Sequence, residues 1–190
     1  MRDVVAGAYP VLEERRLGPV PRRGLLIGRR DLLELPALDP GAVLVFEVDG
    51  EYRPPLTRRH LRGTEPDVVN AVAVSLVDIR ARVVPVALAI PTLRPGREFV
   101  VRATFRCRVT EPAEVAQAGI TDVRSLLTEH LRQDRELFVL GGDGDTEEVV
   151  EARARIHSRL RAYCMVAPPQ LPGLEVVLAT VDVSHEEQGA

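Results

Sequence analysis

The sequence contains no lysine, so all 25 of its basic side chains are arginine. That alone excludes the Gly-x-x-x-x-Gly-Lys-Ser/Thr loop of nucleotide-binding proteins. GC-rich coding bias accounts for such a composition, and arginine's planar fork also suits repeated pairing with carboxylates or phosphates. Cysteine is scarce: Cys107 and Cys164 are too few for a disulfide framework and are not in Cys-x-x-Cys spacing, which predicts a reduced, cytoplasmic setting. Long apolar runs are missing as well. The longest stretches, near 71–77 and 83–90, fall well short of the roughly 20 residues that span a bilayer. The opening MRDVVAGAYP meets Glu13 and Glu14 before any apolar run forms, unlike a secretory signal. Nor does either charge dominate. A net charge of −3 and a pI near 5.9 give no overall attraction to nucleic acid, which is not expected as a partner, and an anionic membrane surface would need a local patch.

What is present belongs to a folded protein: 190 residues, 45% hydrophobic and 28% charged, enough for one domain with an N-terminal extension or for two small domains. Proline and glycine recur from Pro10 to Gly41, which predicts an irregular arm. Three arginine pairs, Arg15-Arg16, Arg22-Arg23 and Arg29-Arg30, lie within it at heptad spacing, but the intervening prolines forbid a continuous helix that would align them. The run AVLVFEV predicts a strand over 42–48, closed by a turn at Asp49-Gly50. Residues 53–67 read as a loop, with a boundary near residue 65.

From 68 to 109 the pattern is strand-like. AVAVSLVDI and RVVPVALAI come first, and Pro85 in the latter predicts an edge strand or a bulge. REFVVRATFRCRV follows the Pro95-Gly96 turn, with Phe99, Val101, Ala103, Phe105, Cys107 and Val109 alternating as the core face. The period then becomes helical. A short helix is expected from Pro112 to Gly119. A second carries Val123, Leu126, Leu127, His130, Leu131 and Leu137 on one face and ends at GGDGD. A third is capped by Asp145 and Glu148 and buries Val149, Ala152, Ile156, Leu160 and Tyr163. LEVVLATVDV closes the chain as a strand in which Leu174, Val176, Leu178 and Thr180 share a face.

The segments SLVDIRARVVPVALAIPT, REFVVRATFRCRVTEPAEV and PGLEVVLATVDV resemble the SPFH domain, also called the band-7 or prohibitin-homology domain. That family sets a "v-D-x-R … v-P-T" strand pair before a "V-x-V-x-x-x-V-T-D-P" strand, then helices and a "G-I/L-x-V" strand; Val109-Thr110-Glu111-Pro112 stands here at the V-T-D-P position. The likeness spans roughly residues 70–183. It implies an α+β fold, an antiparallel or mixed sheet with helices packed on one side, preceded by an irregular, strand-containing arm. The organisation it implies is an arm or small β subdomain over 1–65 and an SPFH-like domain over 66–190. Within these residues neither the apolar anchor nor the long coiled coil of most members is expected. The function implied is that of a non-catalytic scaffold, assembling with itself or other proteins in the cytoplasm or at the inner face of a membrane. The alternative is an accessory domain that binds a small molecule or peptide, the arm covering a pocket on the sheet.

No enzyme and no cofactor are expected, because each candidate for chemistry has a plainer structural reading. His60, His130, His157 and His185 are scattered without the spacing of a metal motif. Asp143, Asp145, Glu147 and Glu148 lack the fixed ligand positions of a calcium loop and suit a helix N-terminus instead. Cys107 has no partnered base and sits in the core phase of its strand, and Cys164 ends a helix. Ser75, Ser125, Ser158 and Ser184 lack a Gly-x-Ser-x-Gly elbow. The remaining candidates form a possible interface: Arg102, Arg106 and Arg108 on one strand face, and Arg153, Arg155 and Arg159 on the third helix. They are weighed against ordinary solvated pairing with Glu147, Glu148 and Glu151.

Overall fold

A computed structural model describes residues 8–20, 28–53, 61–142 and 146–187. These form two units that interleave along the chain. One takes the residues up to 81 with 108–122 and 172–175; the other takes 82–107, 123–171 and those from 176 onward. The fold is α+β, with two antiparallel open sheets and four helices among the described residues.

In the first unit a four-stranded sheet runs in the order β1-β4-β2-β3, with β1 at Val11–Arg16, β2 at Ala42–Val48, β3 at Glu51–Tyr52 and β4 at Ala73–Asp78. Asp49 and Gly50 both take positive φ, 53° and 80°, the geometry that a two-residue hairpin with right-handed twist requires. β4 pairs with β1 on one side and β2 on the other and is buried at all six positions, which accounts for apolar residues on both of its faces, with Ser75 and Asp78 buried among them. The boundary expected near residue 65 therefore falls inside this unit, because strands from both sides of it share one sheet.

β1 corrects the reading of the first forty residues as irregular throughout. Pro10 and Pro19 flank the strand, so they bound it without removing a ladder donor. Its charged sequence VLEERR suits a sheet edge, where exposed charge discourages unwanted pairing. Leu44, Phe46, Val48, Val68, Val74 and Leu76 make up much of the core here.

Two helices belong to this unit, α1 at Pro66–Asn70 and α2 at Pro112–Gln117, each with proline in its first turn, where no intrahelical donor is lost. A five-residue helix has no stability of its own. Arg30, 1% exposed, reaches the end of α1 instead: its Nε donates to Val68 O at 2.8 Å, and its Nη2 to Ala71 O at 3.0 Å and Val69 O at 3.3 Å. Nη1 donates to Glu34 Oε2 at 3.0 Å. One guanidinium thus occupies the carbonyls that a helix C-terminus leaves open.

The second unit holds a three-stranded sheet in the order β5-β6-β7, with β5 at Arg82–Pro91, β6 at Arg97–Val109 and β7 at Leu174–Glu187. β5 and β6 form a hairpin in register from Arg82↔Cys107 to Pro91↔Glu98. The predicted core face of β6 is buried at every position from Phe99 to Val109. β5 is an edge strand, in agreement with Pro85. In β7 the inward positions are Leu174, Val176 and Leu178, then Val181 and Val183, so Thr180 is exposed and the single alternation expected from sequence breaks. That change of parity is the signature of one extra residue in a strand.

α3, Val123–Arg132, packs on β5 through Val123, Leu127 and Leu131. Leu126, placed by periodicity in the buried stripe, is 41% exposed, because α3 buries only the narrower i, i+4 row. The single helix expected through Leu137 ends at Arg132, and a 3₁₀ turn over Arg135–Val139 brings Leu137 into the core. α4, Thr146–Val166, buries Ala152, Ile156, Leu160 and Cys164, whereas Val149 and Tyr163, expected in the same stripe, are half-buried. The capping residue predicted for it, Asp145, lies outside the described residues.

Candidate interaction surfaces

The arginines proposed as an interface all lie where the sequence puts them, but most are committed within the chain. On the outer face of β6, Arg102 donates from Nη1 to Ser184 Oγ and from Nη2 to Glu186 Oε1, both at 2.7 Å. Arg102's hydrogen bond holds the Glu186 carboxyl below the usual carboxylate range. Arg108 lies 3.2 Å from Glu175. Arg106, exposed opposite Val83, has no ion-pair partner among the described residues. On α4, Arg153 Nε donates to Val183 O at 2.9 Å, and Arg155 stands 4.0 Å from Glu151. Arg159 grips the buried Asp134 with two bonds of 2.8 and 2.7 Å and reaches Glu136 at 2.6 Å. These six do not form one free basic patch.

The titratable candidates are separated and largely enclosed. Burial pushes the thiols of Cys107 and Cys164 up to about 11. His130 stacks at 5.1 Å on Tyr163, and burial lowers its pKa. The His185 ring lies 5.1 Å from that of Phe99, inclined at 56° to it. His60, Asp143 and Asp145 lie outside the described residues. Among the described residues no three His, Cys, Asp or Glu side chains gather as metal ligands. A thiol with a pKa of about 11 is ionised in roughly one molecule per thousand at pH 8, against about one in four for an unfolded cysteine. Ellman's reagent is therefore expected to leave both cysteines unlabelled in the folded protein over minutes and to label both at once in guanidinium. Rapid labelling of either without denaturant would contradict the burial.

Two features emerge that residue patterns did not assemble. The first is the free edge of β5. Thr92 N–H donates to Arg97 O at 3.3 Å, continuing the β5–β6 register, so the even-numbered residues of β5 are the hydrogen-bonded ones. The odd-numbered residues then turn their backbone polar groups away from β6. Pro85 and Pro91 fall in that set, where their missing N–H costs the hairpin nothing. Among the described residues the N–H groups of Val83, Ala87 and Ala89 remain on the open edge, and the side chains of this set are exposed, Val83 to 66%. Pro85 was the sequence signal for this edge.

The second is a cleft of about 440 Å³ in the first unit, lined by Arg15, Arg16, Arg29, Arg30 and Glu34 with Leu17, Gly18, Pro19 and Val20. It gathers the first and third of the arginine pairs, which share no helix and are brought together by tertiary structure. Arg22 and Arg23 lie outside the described residues. The repeated pairs were visible in sequence, but their meeting place was not.

Among the described residues no helix is long and apolar enough to cross a membrane. The chain matches no protein-family model and no curated protein.

Proposed function

We propose that the chain is a non-catalytic assembly module of SPFH/band-7 type, which joins copies of itself or related chains into oligomers that organise partner proteins in the cytoplasm or at the inner face of a membrane. The observation that supports this reading is the open edge of β5, where the N–H groups of Val83, Ala87 and Ala89 have no partner among the described residues and the outward row is apolar. An edge of this kind is a template for pairing with a strand of another chain. Prolines at two of its five outward positions limit the number of donors, which restricts pairing to the Ala87–Ala89 end and to Val83. The arginines of β6 and α4 serve mainly internal partners and add specificity at most through Arg106.

Light scattering of the purified chain across concentration tests the reading. Defined oligomers are expected, and Ala87→Pro, which removes an outward donor in a row that already accommodates proline, is expected to shift the mass to monomer while leaving the melting temperature unchanged. Ala87→Lys acts on the same edge through charge and should do likewise. A chain that stays monomeric at the highest concentrations, or oligomers unaffected by both variants, would overturn the assignment. Co-migration with anionic liposomes decides between the cytoplasmic and membrane-facing settings.

A further inference from the structure

We infer that the arginine-lined cleft of the first unit is a binding site for the phosphate group of a small phosphate monoester, a role separate from assembly. Its cations are not equivalent. Arg30 is consumed by three carbonyls and Glu34. Arg15 donates to Glu34 O at 2.8 Å and pairs with Glu13. Arg16 and Arg29 line the same cleft, are exposed and have no ion-pair partner among the described residues. Two uncommitted guanidinium forks facing one space call for an anion.

The type of anion follows from geometry and charge. Each fork offers two parallel N–H donors, which two oxygens of a phosphate match in bidentate fashion. A monoester phosphate carries close to two negative charges and three terminal oxygens, enough for both forks, whereas a carboxylate has two oxygens and one charge. The cleft is larger than phosphate alone requires and falls in the range of small-molecule sites. Leu17, Pro19 and Val20 supply an apolar wall for the remainder of the ligand. Glu34 and Glu13 are already neutralised by Arg30 and Arg15, so their charge does not repel the guest.

The site is also held in place before any ligand arrives. Arg30 N–H donates to Gly63 O at 2.9 Å, and Gly28 lies so close to Val20 that a β-carbon there would stand 3.0 Å from its methyl group. Arg29 is thus fixed on both sides. Arg16 is fixed by its place in β1, where it pairs with Ala73. Backbone ordering that is complete before binding is not charged against affinity, so the ordering cost that remains is that of the two arginine side chains.

The test is calorimetric titration of the full chain with phenyl phosphate, inorganic phosphate and benzoate at constant ionic strength. Saturable binding of phenyl phosphate is expected, stronger than that of inorganic phosphate, with benzoate at least about tenfold weaker than either phosphate. Arg16→Gln and Arg29→Gln should each weaken phenyl phosphate about tenfold with the melting temperature unchanged. Arg106→Gln removes the same charge outside the cleft and should leave binding within about twofold. Absence of saturation by either phosphate up to about 10 mM would overturn the proposal. So would binding that survives both cleft variants, or an equal loss in Arg106→Gln, which would reduce the effect to net charge. Mass by light scattering is not expected to change in either cleft variant, so this result and the assembly result stand or fall separately.

Discussion

Replacing Arg30 by methionine is expected to cost about 4 kcal/mol of stability, one of the two largest effects expected of a single substitution in this chain. The side chain is buried and the three carbonyls it serves belong to the end of α1. Methionine fills much of the space but donates nothing, so three acceptors lose their partner, each worth about 1–3 kcal/mol when left unsatisfied in the interior. Part of that is returned by the apolar side chain. For a chain of this length the loss corresponds to a melting temperature lower by roughly 8–16 °C. Lysine at the same position should recover little, because a single ammonium on a flexible stem cannot span carbonyls that a planar fork reaches together. Thermal and denaturant unfolding of both variants measures this directly. A loss below about 1 kcal/mol in Arg30→Met would mean that α1 is held by its packing on β2 and not by the fork.

The same residue shows where sequence reasoning stops. Nothing in the local pattern separates Arg30 from Arg29, yet one is buried at a helix end and the other lies exposed in the cleft. The difference comes from residues 63–71, more than thirty positions away. Where a periodic face meets a periodic face the reading was good: β6 was legible at every position because alternation over thirteen residues leaves no other register, and α4 because its apolar residues repeat at three and four. β1 was not legible. An edge strand with one buried face end and four charges carries almost no alternation, and its identity comes from pairing with β4. The break between α3 and the 3₁₀ turn was hidden for a similar reason, since Leu137 keeps a helical phase although the helix ends at Arg132, and Asp134 at the break is buried against Arg159, twenty-five positions away. Both candidate surfaces share this character. Proline at 85 and paired arginines at 15 and 29 were visible, but an open edge and a cleft are properties of a fold.

The motif residues behind the resemblance to the SPFH domain also acquire physical roles. Asp78 is fully buried and takes Arg80 in two bonds of 2.8 and 2.9 Å, so the D-x-R pattern is an internal clamp beside β4. The T-E-P and P-G patterns meet each other. Gly173 O accepts from Thr110 N–H at 2.9 Å, Glu111 N–H at 3.1 Å and Thr110 Oγ1 at 3.2 Å. These residues hold the chain where β6 leads into α2 and where β7 begins, and of the three bonds the one from the Thr110 hydroxyl depends on a side chain.

Gly173→Ala is accordingly expected to be the second severe substitution. Gly173 has φ 68°, a conformation that costs an alanine about 1 kcal/mol. A β-carbon there would also run into the Glu111 carbonyl and stand 2.8 Å from Val115 Cγ2 and 3.0 Å from Val115 N. Backbone on that side cannot move without loosening the three bonds to Gly173 O, so the total is expected to reach about 4 kcal/mol, roughly 8–16 °C in melting temperature. Gly119 provides the control within the same unit. It has φ 60°, and a β-carbon added there would meet nothing within 4 Å, so Gly119→Ala carries the conformational cost without the collision and should lose only about 1 kcal/mol. Unfolding of the two variants side by side therefore isolates the close approach from the strain. Equal losses would show that the joint between the T-E-P turn and β7 has room to give, and that its hydrogen bonds, not its tight fit, hold the two segments together.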